Sequence, residues 1–352
     1  LEVRNAAYGV QFQGPANLTA INCSFINVTN AIWTTGTALN SSGNPAKLYG
    51  CSFSGGEFGV VLLANTYARI DGCTMLGYRY PFQIKNGASV YMEDAFVLQN
   101  GISNPSVAVS VTDGSRLTAV SCQVTGYMNS FDTSNNGFMD LSYCTMTHPA
   151  FSGVICKNDS TTNARFCNFI DNGQDSLFYG SDFAGSGDNS TGIIENNYSI
   201  NAGKDNEFGT GIALLGAATY TVNNNVILNS LDVGIAVKYG ANADIRGNQI
   251  VANRKTAIFL QGAGSVNITN NVMAAHSANG QAGITVDGSN LNVVARGNLI
   301  AGNNFGVQFR GTSSTRDFEY NFITRSVKQG FSVTQGRVSS TRSALVDNAD
   351  YQ

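Results

Sequence analysis

The chain has 352 residues, and 12% of them are charged, against roughly 25% in an average soluble domain. Its formal net charge is -3 and its Lys and Arg residues form no cluster, which argues against nucleic acid as a partner because such binding depends on neutralising phosphates. The longest apolar stretch, at residues 59–64, is much shorter than the ~20 residues that a membrane-spanning helix needs. We therefore expect neither a nucleic-acid partner nor a membrane span.

The first predicted strand lies close to the start of the chain, at residues 8–12. The chain starts at Leu1 rather than at a Met, so we expect a mature chain whose leader has been removed. This expectation places the protein outside the cell or at the cell surface.

From the first strand onward, one pattern recurs roughly every 22 to 30 residues. Apolar residues alternate with polar ones, an anchor residue follows, and another apolar residue stands two positions later. The anchor is Cys in the first half of the chain, where Ala95 fills one gap, and Asn in the second half. The anchors are Cys23, Cys51, Cys73, Cys122, Cys144, Cys167, Asn197, Asn225, Asn248, Asn271, Asn298 and Asn321, with Asn348 as a further candidate.

A second strand signal follows each anchor about 8 to 15 residues later, where a small residue precedes alternating apolar residues, as in 59–62 and 234–237. The chain has 5 Pro and no sustained 3.6-residue period, so no helix is predicted. The pattern predicts an all-β fold, a parallel β-solenoid of about 13 to 14 coils. We expect one domain over residues 1–352 with no visible capping domain.

Successive coils of a solenoid lie ~4.8 Å apart, so residues at equal positions form columns along the axis. Columns such as Ile235, Ile258 and Ile284 are predicted to fill the interior. An Asn column can hydrogen-bond its amides along the stack, whereas Cys is small and readily buried at the same bend. We expect the Asn and Cys anchors to form structural ladders.

The alternating strands, the Asn or Cys bend and the Gly-led second strand resemble the right-handed parallel β-helix of the pectin-lyase-like superfamily, over residues 1–340. The resemblance implies the fold and leaves the function open, because similar solenoids serve as polysaccharide lyases, glycosidases, epimerases, phage tailspikes and adhesins. The Asn and Cys column also resembles that of the β-solenoid sheath proteins of archaeal cell envelopes.

The densest acidic group lies on the two longest predicted turns, between Cys167 and Asn225. Glycoside hydrolysis uses two carboxylates about 5 to 10 Å apart, a distance that one or two coils supply. The same composition is also typical of a solvated loop, so no catalytic residue is assigned outright. The alternative catalytic candidates are Asp171, Asp175, Asp182, Asp188, Asp205 and Glu207.

Other chemistry finds little support in the sequence. His148 and His276 follow anchors that are five coils apart, about 24 Å, which is too far for one site. No paired His and Cys spacing fits a zinc cluster, and we predict no cofactor and no metal. Charges on the outward positions are scattered, and aromatic residues fall mostly on core positions. The sequence alone shows no platform of rings for a carbohydrate.

Neighbouring Cys anchors lie within disulfide range when coils are ~4.8 Å apart. Bridges between neighbours are one alternative, and buried thiols are the other. Cys156 lies outside the column, and an odd total of 7 Cys leaves at least one thiol unpaired within the chain. An odd thiol in an extracellular protein points to a cross-link between molecules, and Cys156 is the candidate for it.

Two functions stay open. The favoured hypothesis is a structural, self-assembling protein of a cell-envelope sheath, tube or surface layer, packed through solenoid edges, cross-linked by disulfides and partnered by copies of itself. Low charge and ends without a capping helix favour it. The alternative is a carbohydrate-active or carbohydrate-binding β-helix, such as a lyase, a glycosidase or a phage tailspike, that uses the acidic loops at residues 171–207. Cell-surface glycans would then be the partners.

Overall fold

The computed structural model describes residues 1–13, 18–35, 45–101, 106–173, 181–203, 209–276, 281–288, 291–311, 315–334 and 339–348. These residues form β-strands joined by turns and bends, and no helix occurs among them. The described part of the chain accordingly holds no helix that could cross a membrane. The chain divides into two compact units, Leu1–Asn168 (unit 1) and Phe169–Gln352 (unit 2).

The strands of unit 1 are short and follow one another at regular intervals. They are β1 (Glu2–Arg4), β2 (Tyr8–Gln13), β3 (Thr19–Ile21), β4 (Ser24–Ile26), β5 (Asn30–Thr35), β6 (Ala46–Tyr49), β7 (Ser52–Leu62), β8 (Tyr67–Asp71), β9 (Thr74–Ile84), β10 (Ser89–Glu93), β11 (Phe96–Leu98), β12 (Val107–Thr112), β13 (Arg116–Val120), β14 (Gln123–Thr125), β15 (Asn129–Ser134), β16 (Phe138–Ser142), β17 (Thr145–Thr147), β18 (Ser152–Lys157) and β19 (Thr161–Arg165). Strand β20 (Asn168–Ile170) begins at the last residue of unit 1.

Unit 2 repeats the same succession of strands. They are β21 (Ser181–Ser186), β22 (Thr191–Glu195), β23 (Tyr198–Ile200), β24 (Thr210–Leu215), β25 (Thr219–Asn223), β26 (Val226–Leu228), β27 (Val233–Lys238), β28 (Asn242–Arg246), β29 (Gln249–Val251), β30 (Thr256–Gln261), β31 (Ser265–Thr269), β32 (Val272–Ala274), β33 (Ala282–Asp287), β34 (Asn292–Arg296), β35 (Leu299–Ala301), β36 (Phe305–Arg310), β37 (Thr315–Glu319), β38 (Phe322–Thr324), β39 (Gln329–Val333), β40 (Ser339–Thr341) and β41 (Ala344–Val346).

Each coil combines three kinds of strand. A flank strand of up to five residues, such as β13, is followed by a three-residue short strand, such as β14, and then by a face strand of about six residues, such as β15. In β7 and β9 the short and face strands are continuous. Each strand pairs in parallel with its equivalents in the neighbouring coils, as β13 does with β10 and β16 and β28 does with β25 and β31.

Register places like residues on top of one another inside each unit. In unit 2, Ile235, Ile258 and Ile284 pair in succession along the face strands, and all three are fully buried. Full burial of an aliphatic side chain of this size stabilises the fold by about 1.5 to 3 kcal/mol. The core is therefore a set of apolar columns, and its contacts join residues of neighbouring coils.

The bend before each short strand differs between the units. In unit 2 the Asn side chains bond to one another, with Asn225 Nδ2 donating to Asn248 Oδ1 and Asn248 Nδ2 donating to Asn271 Oδ1, both at 2.9 Å. In unit 1 the equivalent Cys thiols lie over backbone carbonyls instead, as Cys144 Sγ does at 3.5 Å from the Ala119 oxygen. Both bends thus contact the neighbouring coil, but an Asn amide offers two strong donors and an acceptor, whereas a Cys thiol offers one weak donor.

The face strands break strict alternation at one position. Their second and third residues are both buried, as Ala31 and Ile32 are in β5 and as Gly59 and Val60 are in β7. The second residue must be small: a Cβ atom on Gly59 would lie 2.5 Å from the Pro81 oxygen and 2.6 Å from the Met75 side chain. Two successive side chains point inward here. The alternation of inward and outward side chains is therefore shifted by one residue after this point.

These observations confirm the predicted all-β fold and parallel solenoid. They do not test the prediction of a single domain over residues 1–352, which stays a prediction beside the two compact units.

Candidate functional site

The predicted acidic candidates do not assemble on one surface. Asp175, Asp205 and Glu207 lie outside the described residues. Asp188 is exposed in the turn after β21, while Asp182 is fully buried near the start of the same strand. One carboxyl is internal and the other is at the surface, so the two do not form the facing pair of a glycosidase.

Asp182 lies inside unit 2, at the small-residue position of its face strand. The register between β21 and β24 places it next to Gly211. Across the interior it faces Ser199 on β23, whose register partner in the next coil is Ile227. The Asp182 carboxyl accepts hydrogen bonds from Ser199 Oγ and, at 2.6 Å, from Asn172 Nδ2. Burial raises the pKa of Asp182 to about 7, although the hydrogen bonds from these two donors act to lower that pKa.

Asp171 lies beside this internal carboxyl and increases its cost of ionisation. It adds a smaller like-charge contribution to the raised pKa of Asp182, and its own Oδ1 accepts a hydrogen bond from Asn201 Nδ2 at 3.0 Å. Of the two acidic residues that the structure brings together, Asp182 lies in the interior of unit 2 and Asp171 is half-buried beside it. In this arrangement the Asp182 carboxyl does not meet a saccharide at the surface.

All seven cysteines are present as buried thiols, including Cys156 on β18. Hydrogen bonding with Cys144 and burial raise the pKa of the Cys122 thiol, and hydrogen bonding with Cys51 and burial raise that of Cys73. Burial also shields all seven thiols from reaction partners in solution. The structure therefore gives no disulfide and no accessible thiol for a cross-link.

His276 belongs to a second polar column of unit 2 that the sequence reasoning did not list. Its backbone N–H donates to Asn303 Oδ1 at 3.0 Å, just as the Ser230 N–H donates to Asn253 Oδ1 at 2.9 Å. Its ring nitrogens lie 3.2 Å from the carbonyl oxygens of Asn253 and Ile250. Burial lowers the pKa of His276, and its role is structural. Among the described residues no group of His, Cys, Asp and Glu could hold a metal ion.

Charges on the outward side of the flank strands occur in pairs. Arg69 lies 3.2 Å from Glu93, Arg165 lies 2.8 Å from Asp140, and Arg296 lies 3.0 Å from Asp317. These are exposed or half-exposed pairs, worth about 0 to 1 kcal/mol each. They neutralise one another locally, so this side carries no stripe of one charge.

Three aromatic rings lie together on the outside of unit 1. Trp33 on β5, Phe58 on β7 and Tyr80 on β9 belong to neighbouring face strands, and each is partly exposed. The Trp33 and Phe58 ring centroids are 5.4 Å apart, edge to face, and the Phe58 and Tyr80 rings stack at 4.9 Å. The Arg79 guanidinium lies over the Tyr80 ring at 5.4 Å. We call Trp33, Phe58 and Tyr80 the ring patch.

Polar groups lie on face strands further along the same stack, on β15 and β18. Asn129 on β15 occupies the register position of Tyr80 two coils away. It is 7% exposed, and its Oδ1 has no hydrogen-bond partner among the described residues. Three residues further along, Asp132 accepts a hydrogen bond from Lys157 Nζ at 3.0 Å. Two coil rises and three residues place Asp132 ~14 Å from Tyr80.

The ring patch, Asn129 and the Asp132–Lys157 pair form what we call the unit 1 face. Partly exposed rings stack against the apolar face of a ring-shaped ligand. An unmet buried carbonyl oxygen favours a ligand hydroxyl, because leaving it unpaired costs about 1 to 3 kcal/mol. The ion pair offers both donors and acceptors. Asp132, paired with Lys157, does not by itself form the two-carboxylate arrangement of a glycosidase.

The sequence reasoning missed this face because it extended the alternation backwards from the buried residues of each face strand. Counting in twos from Val60 puts Phe58 inside, and counting from Phe82 puts Tyr80 inside. The small residue that precedes each buried apolar residue, such as Gly59 before Val60, is the signal that could have revealed the change of phase.

The sequence matches a known family along its whole length. The model of the right-handed beta helix region matches residues 1–138, 86–250, 131–290 and 210–351, which overlap to cover nearly every residue. The chain belongs to the right-handed β-helix family. This confirms the predicted pectin-lyase-like resemblance, while the resemblance to archaeal sheath proteins stays a prediction. No match was found among curated proteins.

Solved structures agree with the fold of this right-handed β-helix. The periplasmic alginate epimerase AlgG is similar at a TM-score of 0.55 and 12% identity, over 91% of this chain and 78% of AlgG. The Dettilon tailspike protein is similar at a TM-score of 0.52 and 14% identity, over 86% of this chain and 62% of the tailspike chain. At such low identity the likeness shows the fold alone.

Proposed function

We propose that this protein is a carbohydrate-binding right-handed β-helix that holds an oligosaccharide along the unit 1 face. The observation that carries the proposal is the ring patch, since its three partly exposed rings lie on the same stack of face strands as an unmet buried acceptor and a Lys–Asp pair. The ~14 Å between Tyr80 and Asp132 favours a ligand longer than one sugar ring.

The similar solved structures support the same class of ligand. AlgG is named as an alginate epimerase, and alginate is a polysaccharide. Its description as periplasmic also supports our proposal that this protein works outside the cytoplasm. The sheath hypothesis that the sequence favoured rested on low charge and on ends without a capping helix, with disulfide cross-links as an addition, and all seven thiols are buried. Self-association stays a prediction that sedimentation of the purified chain would test.

The ring patch can be tested by binding to a printed array of uronic-acid and neutral oligosaccharides. We expect the wild-type chain to bind at least one of them, and Trp33→Ala and Tyr80→Ala each to weaken that binding at least tenfold. A buried or half-buried aromatic anchor typically contributes about 2 kcal/mol or more, and 1.4 kcal/mol is tenfold in affinity.

Tyr239→Ala is the matched control, because Tyr239 is an exposed ring of unit 2 that lies outside the ring patch. We expect Tyr239→Ala to bind as the wild-type chain does. The circular dichroism spectrum should be unchanged in all three variants, which shows that each is folded. Equal loss of binding in the control, or wild-type binding in both ring-patch variants, would contradict the proposal.

A further inference from the structure

Two further aromatic residues of unit 1 stand where the backbone disfavours them. Tyr143 and Phe166 occupy the bend that precedes the Cys anchor, and both have a positive φ, 56° and 54°. A positive φ is an outlier for a bulky residue, because its Cβ crowds the backbone. In the preceding coils the same bend is formed by residues that are small or tolerate this backbone, namely Asn22, Gly50, Gly72, Asp94 and Ser121.

The hydrogen bonds of the bend fix this correspondence. The Asp94 N–H donates to the carbonyl oxygen of Val120, which is the residue before Ser121, at 3.1 Å. In the same way, the Ser121 N–H donates at 3.0 Å to the oxygen of Ser142, which precedes Tyr143. The Tyr143 N–H donates to the oxygen of Arg165, which precedes Phe166. Each bend residue therefore lies one coil from the next.

Neither ring is placed there by the core. Tyr143 is 59% exposed and Phe166 is 45% exposed, while the anchors that follow them, Cys144 and Cys167, are fully buried. The two rings stack on each other, with centroids 5.1 Å apart and planes within 8°. The stack fixes both rings, and Asn at either position would fit the backbone with less strain. The strained positions point to a role at the surface.

One face of the Tyr143 ring is left open by its neighbours. Phe166 covers the face on the side of the next coil, so the opposite face is on the side of Ser121. Ser121 and Asp94 are exposed at the next two bends, ~5 and ~10 Å below. A ring stacked on Tyr143 at ~4 Å lies at about the level of the small Ser121, beside its side chain, and ~6 Å above the level of Asp94, within reach of its carboxylate.

We propose that Tyr143, Ser121 and Asp94 form a second saccharide subsite on unit 1, which we call the bend ledge. Tyr143 presents a fixed ring to the apolar face of one sugar, Phe166 holds that ring, and Ser121 and Asp94 hydrogen-bond the hydroxyls. This inference rests on the proposed function, since it names a further site for the same class of ligand. The bend ledge lies on the bends, whereas the ring patch lies on the face strands.

The test uses Tyr143→Asn, which replaces the ring by a residue that the backbone accepts easily. We expect the thermal midpoint of the variant to be unchanged or higher. In the full chain carrying Trp33→Ala and Tyr80→Ala, we expect weak residual binding on the oligosaccharide array to persist, and to fall at least tenfold further when Tyr143→Asn is added. Asp94→Asn should weaken that residual binding as well, with no change in thermal midpoint.

Tyr239→Asn is the matched control, since Tyr239 also has a positive φ of 58° and is 66% exposed, at a different turn. It should leave residual binding unchanged. Unchanged residual binding after Tyr143→Asn, or a lowered thermal midpoint as its main effect, would overturn the bend ledge and leave the ring patch standing. If the wild-type chain binds no oligosaccharide, the proposed function fails first, so the two failures are distinguishable.

Discussion

At the scale of single residues, Asn248 shows how unit 2 joins its coils. Its Oδ1 accepts from the backbone and side chain of Asn225, both at 2.9 Å, and its Nδ2 donates to the Val222 oxygen and to Asn271 Oδ1, both at 2.9 Å. One fully buried amide therefore satisfies groups of three coils. Because each buried group left unpaired costs about 1 to 3 kcal/mol, losing this side chain is expensive.

We expect Asn248→Ala to lower the free energy of unfolding by about 2 to 4 kcal/mol, since it removes the acceptor of the buried Asn225 N–H and the side-chain donor to the Val222 oxygen. Urea denaturation of the full chain, followed by circular dichroism, measures the change. Asn267→Ala is the control, because Asn267 is exposed on the outward side of β31, and it should change the stability by less than about 0.5 kcal/mol. Equal effects of the two substitutions would contradict this account of the bend.

The sequence predicted these residues because an Asn recurs at one position of every coil in the second half of the chain. A residue that depends on its neighbours in the stack must recur at a fixed position, which makes it visible without a structure. Tyr143 and Phe166 gave no such signal, since each differs from the small or flexible residues that usually occupy its bend. Their positive φ values become known only from the backbone.

At the scale of the strand, Asp182 is a large polar residue in a position that the other face strands fill with a small one. The strand accommodates it because Ser199 is smaller than Ile227, which stands at the same register position in the next coil. The larger residue on β21 is thus compensated by a smaller residue on β23 of the same coil. The remaining cost is the desolvation of the carboxyl, which raises the pKa of Asp182 to about 7.

This raised pKa predicts a specific pH dependence. The folded chain holds the Asp182 proton up to about pH 7, whereas an unfolded Asp releases it near 3.9, so the native state binds more protons between these values. The stability due to the protonated carboxyl is complete below about pH 4 and is lost as the pH rises through 7. We expect wild-type stability to fall by about 2 to 3 kcal/mol relative to Asp182→Asn between pH 5 and pH 8.

The measurement is urea denaturation of both chains at several pH values, with Asp188→Asn as the control because Asp188 is exposed. The control should keep the pH dependence of the wild-type chain. A constant difference between wild type and Asp182→Asn across this range would show that the Asp182 carboxyl does not titrate as described.

Strand phase also limited what the sequence could predict about the site. Alternation in twos predicted the strands and their buried columns, because inward residues must be apolar. It failed at Phe58 and Tyr80, where two successive buried residues shift the phase and turn both rings outward. Three of the acidic candidates are described: Asp182 is internal, Asp171 is half-buried beside it, and Asp188 is exposed.

At the scale of the whole molecule, the right-handed β-helix fold leaves the function open, and function depends on a few side chains on the outside of a unit. Arg69, Arg165 and Arg296 on the flank strands each pair with an acidic side chain, and the net charge is -3, so long-range electrostatic attraction contributes little to ligand choice. Recognition then rests on rings and local hydrogen bonds. The unit 1 face concentrates both.

The most direct test is a crystal structure of the protein soaked with the oligosaccharide that binds most tightly on the array. The account predicts a sugar ring stacked on Trp33, Phe58 or Tyr80, with a hydroxyl donating to Asn129 Oδ1. An oligosaccharide bound away from unit 1, with the ring patch unoccupied at saturating ligand, would contradict it.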